Sequence, residues 1–165
     1  MFFGKVQELK ALNTDDVEVA QLVKLKQAGI SDDTCVSLIR TAHAHKHTFV
    51  SADAVVSLIR GNFGEPEILE MAQTDRIDTL SLDAVTLRLT GLSTSFVLDV
   101  LHRRAQGLPT LSGAAIGRLK NTGLTESQIL QRVNEGMTDE QAERESAARE
   151  RARNQTGFVR HYRRR

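Results

Sequence analysis

The sequence is poor in the residues that stabilise disulfide-rich and β-rich proteins. Its 165 residues include one cysteine, Cys35, which excludes a disulfide within the chain. It has no tryptophan, one tyrosine and six phenylalanines, and its only prolines are Pro66 and Pro109. The core must therefore be built mainly from leucine, isoleucine, valine and alanine. Because aromatic residues are common in strands, this composition favours short packed helices over a β-sandwich.

The sequence also lacks the segments that mark secretion, membrane insertion and common enzyme classes. No apolar run approaches the roughly 18–20 residues needed to cross a bilayer, and the start of the chain lacks the apolar core of a signal peptide. It contains no glycine-rich phosphate loop, no triad spacing and no carboxylate pair in an apolar setting. We therefore expect a soluble, cytoplasmic protein that is not an enzyme and uses no cofactor.

One pattern occurs four times along the chain. An apolar residue stands at a turn, with a leucine five positions before it. In three copies a glycine precedes the turn residue and a serine or threonine follows it. Glycine tolerates the positive φ that ends a helix, and serine or threonine caps the next one. The turn residues lie 33, 29 and 32 residues apart and are Ile30, Phe63, Leu92 and Leu124, with leucines at 25, 58, 87 and 119.

Each copy predicts two helices of about 9–14 residues, which are too short to be stable alone in water. Repeats of this kind become stable by stacking on their neighbours. We predict an all-α, solenoid-like stack of about four helix-turn-helix repeats, ~29–33 residues each, over residues 14–137. A lead-in helix is expected within residues 1–13, a charged helix over 138–153, and a basic tail over 154–165 that is disordered unless bound.

Local signals refine this prediction. Cap residues predict helix starts at Thr14, Ser51 and Ser81. The apolar spacing in the first of these helices places Val19 and Val23 on a buried face. The charged helix over 138–153 has only alanines as apolar residues, so it is either largely solvated or docked shallowly through them.

The leucine-glycine-apolar-Ser/Thr pattern, covering about residues 15–141, resembles known helical repeats of similar length. It is similar to the repeats of mitochondrial transcription termination factors and TAL-effector-like proteins, and to helix pairs in uncharacterised bacterial proteins. The resemblance implies a stack of helix pairs. Termination-factor repeats carry a proline after the second helix, which this chain matches only at Pro109, and the base-reading dipeptides of TAL repeats have no counterpart. No functional residue is carried over.

Two features of the sequence invite a chemical interpretation. Cys35 occupies the repeat position held elsewhere by Ile68, Val97 and Ile129, so we predict a buried structural cysteine. His43, His45 and His47 form the only histidine cluster, in which His43 and His47 are one helical turn apart and could share a metal ion. No second pair of ligands has matching spacing, so we favour an exposed polar helix end and predict no metal site.

DNA recognition is a further alternative, because Gly29-Ile30-Ser31 and the following helix resemble the turn of a helix-turn-helix protein. A recognition helix presents its first residues to bases and phosphates. Here three repeats place acids at that point, which phosphates repel: Asp32 and Asp33, Glu65 and Glu67, and Glu126. We therefore do not favour major-groove recognition by a single repeat.

The charge of the chain is uneven. Residues 1–80 hold eight Lys/Arg and twelve Asp/Glu, whereas residues 81–165 hold fourteen and nine. The basic half predicts contact with an acidic partner or with nucleic acid. An alternative role for its helix-end cations is to complement helix dipoles, and arginines with interleaved aromatics in a tail can bind phosphates and stack on bases. The candidate binding residues are Arg103, Arg104, Arg118, Lys120, Arg160, Tyr162, Arg163, Arg164 and Arg165.

These observations predict a non-catalytic interaction module that binds a partner protein. The alternative is a nucleic-acid-binding protein that uses the basic half and the tail, and a third interpretation is a subunit of a larger assembly. Salt dependence separates the first two, since neutralising phosphates makes affinity fall steeply with salt.

Overall fold

The computed structural model describes residues 5–162, with side chains described for residues 5–155. Ten α-helices and no strand occupy this range, which confirms the all-helical prediction. None of these helices is long and apolar enough to cross a membrane. The helices are α1 Val6–Ala11, α2 Asp16–Gln27, α3 Asp32–Ala44, α4 Ala52–Arg60, α5 Glu65–Ala72, α6 Ile77–Leu89, α7 Thr94–Ala105, α8 Gly113–Asn121, α9 Glu126–Asn134 and α10 Asp139–Tyr162.

The chain forms two compact units, an N-terminal unit (Met1–Val85) and a C-terminal unit (Thr86–Arg165). In the N-terminal unit, α2 packs on α4 and α3 packs on α5, while α2–α3 and α4–α5 also contact within each pair. In the C-terminal unit, α8 packs on both α9 and α10. Helices that are two apart in the chain are therefore neighbours within each unit.

The repeated positions form the core of each unit. The side chains at three positions of the repeat are all buried: the leucine anchor, the turn residue and the inward residue of the second helix. Each such burial contributes about 1.5–3 kcal/mol to stability, which offsets the instability of isolated short helices. The anchors are Leu25, Leu58, Leu87 and Leu119, the turn residues are Ile30, Phe63, Leu92 and Leu124, and the inward residues are Cys35, Ile68, Val97 and Ile129.

Most helices end at a residue with positive φ. Gly29, at φ 85°, donates its amide to Lys26 while the amide of Ile30 reaches the carbonyl of Leu25. This pair of bonds satisfies the last carbonyls of the helix. The same stop is made without glycine at several places that the pattern did not predict: Asn13, Lys46, Asn62 and Asp75.

A second repeated device joins neighbouring helices within each unit. The serine that caps one helix donates a hydrogen bond to an acid in the first turn of the helix two further along the chain. We call this contact a serine–carboxylate clamp. The clamps are Ser31–Glu65 and Ser51–Asp78 in the N-terminal unit, and Ser93–Glu126 and Ser112–Asp139 in the C-terminal unit.

Helix α6 begins earlier than the sequence predicts. Ser81 was expected to start the third repeat, but α6 starts at Ile77 and Ser81 lies inside it, donating to the carbonyl of Asp78. Ile77 and Leu80 are buried. The burial of these two apolar side chains stabilises a first turn of the helix ahead of Ser81.

The predictions for α2 need two corrections. Asp15, not Thr14, is its cap: Asp15 accepts from the Glu18 amide at 2.8 Å, and Thr14 donates to the carbonyl of Leu9 instead. Val19 and Val23 are exposed, whereas Glu18 is buried on the inward face. The polar groups that α2 supplies to a neighbouring loop, described below, turn the helix this way.

Helix α10 extends to Tyr162, past residue 153 where the sequence predicts its end. Of the two alternatives predicted, a solvated helix or a shallowly docked one, the structure shows docking. Helix α10 packs on α8, and Ala142 and Ser146 are buried. Residues 163–165 of the predicted tail lie outside the described residues.

Candidate functional site

A concave surface of the N-terminal unit surrounds the segment of residues 45–51 between α3 and α4. Two side chains of α2 hold this segment. Glu18, 1% exposed, accepts from the amide of Phe49 at 2.8 Å, and Gln21 accepts from the amide of Ala52 at 3.2 Å. His43 Nε2 lies 2.8 Å from the same oxygen of Glu18. One oxygen of the buried carboxylate therefore fixes the segment and contacts His43, while the other accepts from the amide of Asp15 in the cap of α2.

A cleft of about 340 Å³ lies between this segment, the end of α3, and the turn from α5 to α6. Its floor is apolar and buried, and its rim carries histidines and carboxylates. The floor residues are Leu38, Ala42, Phe49, Ala72 and Ile77. The ionisable residues of the rim are His45, His47, Asp75 and Asp78.

Both ring nitrogens of His47 face oxygen atoms. Its Nε2 lies 2.5 Å from Asp75 Oδ1, and its Nδ1 lies 3.2 Å from the carbonyl oxygen of Thr48. The carboxylate of Asp75, and then the carbonyl of Thr48, raise the pKa of His47 above its ordinary value. Because both oxygens accept hydrogen bonds, the geometry favours a ring that donates from both nitrogens.

The rim does not form an activated nucleophile. The hydroxyl of Ser51 donates to Asp78 Oδ2 at 2.7 Å, not to a histidine. A ring that donates from both nitrogens has no lone pair to remove a proton from a serine. The chemistry that this arrangement can perform is therefore binding. That the chain is not an enzyme stays a prediction.

The three histidines do not converge on one point. His43 contacts Glu18, His47 contacts Asp75, and the rings of His45 and His47 stack with centroids 6.3 Å apart. Within residues 5–155, no group of three or more His, Cys, Asp or Glu side chains is placed to hold a metal ion.

Cys35 is buried, as the repeat predicts. Burial raises the pKa of its thiol to about 11, so the reactive thiolate is scarce at neutral pH. The cysteine therefore serves packing, in the same way as Ile68, Val97 and Ile129 at its equivalent positions.

Arg103 and Arg104 of α7, which the sequence predicts to bind a partner, form hydrogen bonds within their own unit. The Arg103 guanidinium donates to Asn134 Oδ1 at 2.9 Å and to the carbonyl of Pro109 at 3.4 Å. Arg104 donates to the carbonyl of Leu111 at 2.9 Å. These bonds fix the turn between α7 and α8, which leaves fewer donors for an external phosphate.

The basic residues of α8 are more available. The Arg118 side chain is 52% exposed, and its nearest carboxylate, Glu143, is 4.0 Å away. Lys120 lies half-buried two residues further along the same helix. Arg160 and Tyr162 fall in the last turns of α10, but their side chains, together with Arg163, Arg164 and Arg165, lie outside the described residues.

Acids at helix starts, which counted against DNA recognition, have a structural role that the sequence did not reveal. Glu65 accepts from the amide and hydroxyl of Ser31 and from the hydroxyl of Thr34. Glu126 accepts from the amide of Ser93 at 2.6 Å and from its hydroxyl at 2.5 Å. In these two clamps the serine and the acid are 34 and 33 residues apart, and in the Ser51–Asp78 and Ser112–Asp139 clamps they are 27 apart.

The most exposed leucines lie on α6, and exposed valines lie on α2. On α6, Leu82 is 73% exposed and Leu89 is 83% exposed. On α2, Val19 and Val23 are about half exposed, at 49% and 48%. These residues are not among the binding candidates predicted from the sequence, where Val19 and Val23 are predicted to be buried and Leu82 and Leu89 have no assigned role.

Searches against protein families, curated proteins and solved structures each found no match. The resemblance to helical-repeat proteins therefore stays a prediction from the pattern alone.

Proposed function

We propose that this chain is a non-catalytic, solenoid-like helical-repeat module of the cytoplasm that binds a partner protein. The exposure of Leu82 and Leu89 carries the proposal. Single exposed leucines are common on protein surfaces, but apolar residues that share one face are typical of interaction sites. The two leucines are seven residues apart on α6, which is two helical turns, so they share a face.

Comparison of the repeats shows that these leucines do not serve the common packing. They lie ten and three positions before the turn residue Leu92. A packing role shared by the repeats would demand a large apolar residue at these positions in every copy, and the other copies carry alanine or polar residues there. Ten positions before the turn these are Ala20, Asp53 and Ala114, and three positions before it they are Gln27, Arg60 and Asn121.

Capture experiments with two matched variants test the proposal. The tagged full-length chain is used to recover bound protein from nuclease-treated lysate, with L82Q/L89Q and R118Q/K120Q in parallel. Glutamine keeps helix propensity and length, so both variants are expected to stay folded, as circular dichroism at 222 nm checks. We expect one defined protein to be lost with L82Q/L89Q and kept with R118Q/K120Q. If both variants still capture this protein, or if only R118Q/K120Q fails to capture it, the proposal is contradicted.

Nucleic-acid binding is the second candidate, and the exposure of Arg118 favours it. In this candidate Arg118, Lys120 and the arginines after residue 150 contact phosphates, while tyrosine and phenylalanine of the tail stack on bases. Fluorescence anisotropy with a labelled 20-nucleotide single strand tests it. Binding that R118Q/K120Q weakens and L82Q/L89Q leaves unchanged supports this candidate over the first.

A further inference from the structure

The cleft of the N-terminal unit has the form of a small binding site. Its volume of about 340 Å³ falls within the range of roughly 300–1,000 Å³ found for ligand pockets, which also combine an apolar lining with a few polar groups. The floor is made by side chains that the core already holds in place, including Leu38, Phe49 and Ile77. An apolar stem of a few carbon atoms would therefore meet a preformed surface.

Each carboxylate of the rim uses only one of its two oxygens to accept a hydrogen bond. Asp75 uses Oδ1 for His47, and Asp78 uses Oδ2 for Ser51. None of the described residues donates to the second oxygen of either carboxylate. Both oxygens are therefore available to a ligand that brings donors of its own.

The charges of the rim favour a cation. His47 pairs directly with Asp75, whereas Asp78 accepts a hydrogen bond only from the neutral hydroxyl of Ser51. Two carboxylates share one histidine partner, so the negative groups are in excess over this partner beside the apolar floor. An anion would be repelled, and a neutral apolar ligand would remove water from a carboxylate without replacing its hydrogen bonds.

A bare metal ion fits the cleft less well than an organic cation. No described set of three ligating side chains converges there, and an ion would gain nothing from the apolar floor. We propose that the cleft binds an ammonium or guanidinium group on a short apolar stem, which is the chemistry of a lysine or arginine side chain and of a free alkylamine. This inference rests on the cleft alone and does not depend on the leucines of α6.

Three probes of four carbon atoms each test the charge requirement. Solutions of n-butylammonium, n-butanol and butyrate are titrated into the ¹⁵N-labelled full-length chain, and amide shifts are followed by NMR. We expect saturable shifts at Phe49, Asp75 and Asp78 with n-butylammonium only. Equal shifts with n-butanol or butyrate, or no shift with n-butylammonium, overturn the proposal.

Two variants distinguish binding by the carboxylates of the cleft from a general effect of negative charge on the protein. D78N is expected to weaken n-butylammonium binding on the order of tenfold, since a charge-assisted hydrogen bond is lost. D16N removes the same charge from an exposed position of the same unit and is expected to leave the affinity unchanged. Should D78N alter the amide spectrum throughout the unit, D75N is measured in its place. Equal effects of D16N and the cleft variant overturn the proposal.

A further pair of titrations identifies the source of the cation. The acetylated and amidated peptides Gly-Lys-Gly and Gly-Gln-Gly are compared with n-butylammonium. Tighter binding of the lysine peptide than of the free amine assigns the cleft to a side chain of a partner protein, and equal binding assigns it to small amines. If the glutamine peptide binds as well as the lysine peptide, the cationic chemistry proposed here is wrong.

Discussion

At the scale of single residues, the acids at helix starts are the least expected feature. Burial raises the pKa of Glu65, but hydrogen bonds from Ser31 and Thr34 outweigh it and hold the pKa below its ordinary value of 4.5. A carboxyl whose pKa is depressed by folding stabilises the folded state above its unfolded pKa. That contribution is lost as the pH falls through the folded pKa.

Replacement of Glu65 by glutamine tests this clamp. Near pH 7 we expect E65Q to lower the free energy of unfolding by about 1–2 kcal/mol, because charge-assisted hydrogen bonds become neutral ones. Below the ordinary pKa of 4.5 the unfolded state takes up a proton more readily than the folded state, so the difference should shrink as the pH falls towards 3. Urea unfolding at both pH values measures it, and an equal difference at both contradicts the clamp.

Cys35 shows how burial decides the chemistry of a residue. Its thiol should not react with a disulfide reagent at pH 8 while the chain is folded, because burial raises its pKa and blocks access. In 8 M urea it should react fully. Absorbance of the released thiolate measures both, and rapid reaction of the folded chain would show that the site opens.

Residue-level predictions succeeded where the repeat fixed the environment. Cys35 could be assigned to the core because three equivalent positions hold aliphatic residues. The partner of Glu65 could not be predicted, since Ser31 is distant in the chain and their contact depends on how α3 and α5 pack. The same limitation hid the cleft, whose floor and rim come from three separate segments.

At the scale of helices, the residues with positive φ that end the helices determine where each helix of the repeat stops. Glycine was visible in the sequence as a stop at Gly29, but Lys46 makes the same turn at φ 65° with no glycine. Residue type alone therefore predicts only part of the helix ends. The start of α6 was missed for a related reason, because buried Ile77 and Leu80 outweigh the cap signal of Ser81.

Removing a glycine at one helix end and introducing a glycine at another test the role of positive φ at these positions. Adding a Cβ at Gly29 meets no atom within 4 Å, so G29A pays only the strain of positive φ and should lower stability by about 1–2 kcal/mol. K46G relieves that strain at a residue with positive φ and should raise stability by about 0.5 kcal/mol after the entropy of glycine is included. Thermal unfolding measures both, and changes of the same sign would contradict the account.

At the scale of the whole molecule, two surfaces of different chemistry are candidates for the partner. The apolar surface of Leu82 and Leu89 is exposed beyond what the repeat requires. The basic residues lie in the half of the chain that carries fourteen Lys/Arg against nine Asp/Glu. The basic residues could be predicted as binding candidates because charge can be read from a sequence, whereas the exposure of a leucine cannot.

The affinity of the full-length chain for the protein it captures, measured at rising salt, tests the central claim most directly. An apolar contact releases few counterions, so we predict less than about a tenfold change between 50 and 200 mM salt, with L82Q/L89Q weaker throughout. Contact with six or more phosphates would instead lower affinity on the order of a thousandfold over that range. Such a loss, together with unchanged binding by L82Q/L89Q, would contradict the account.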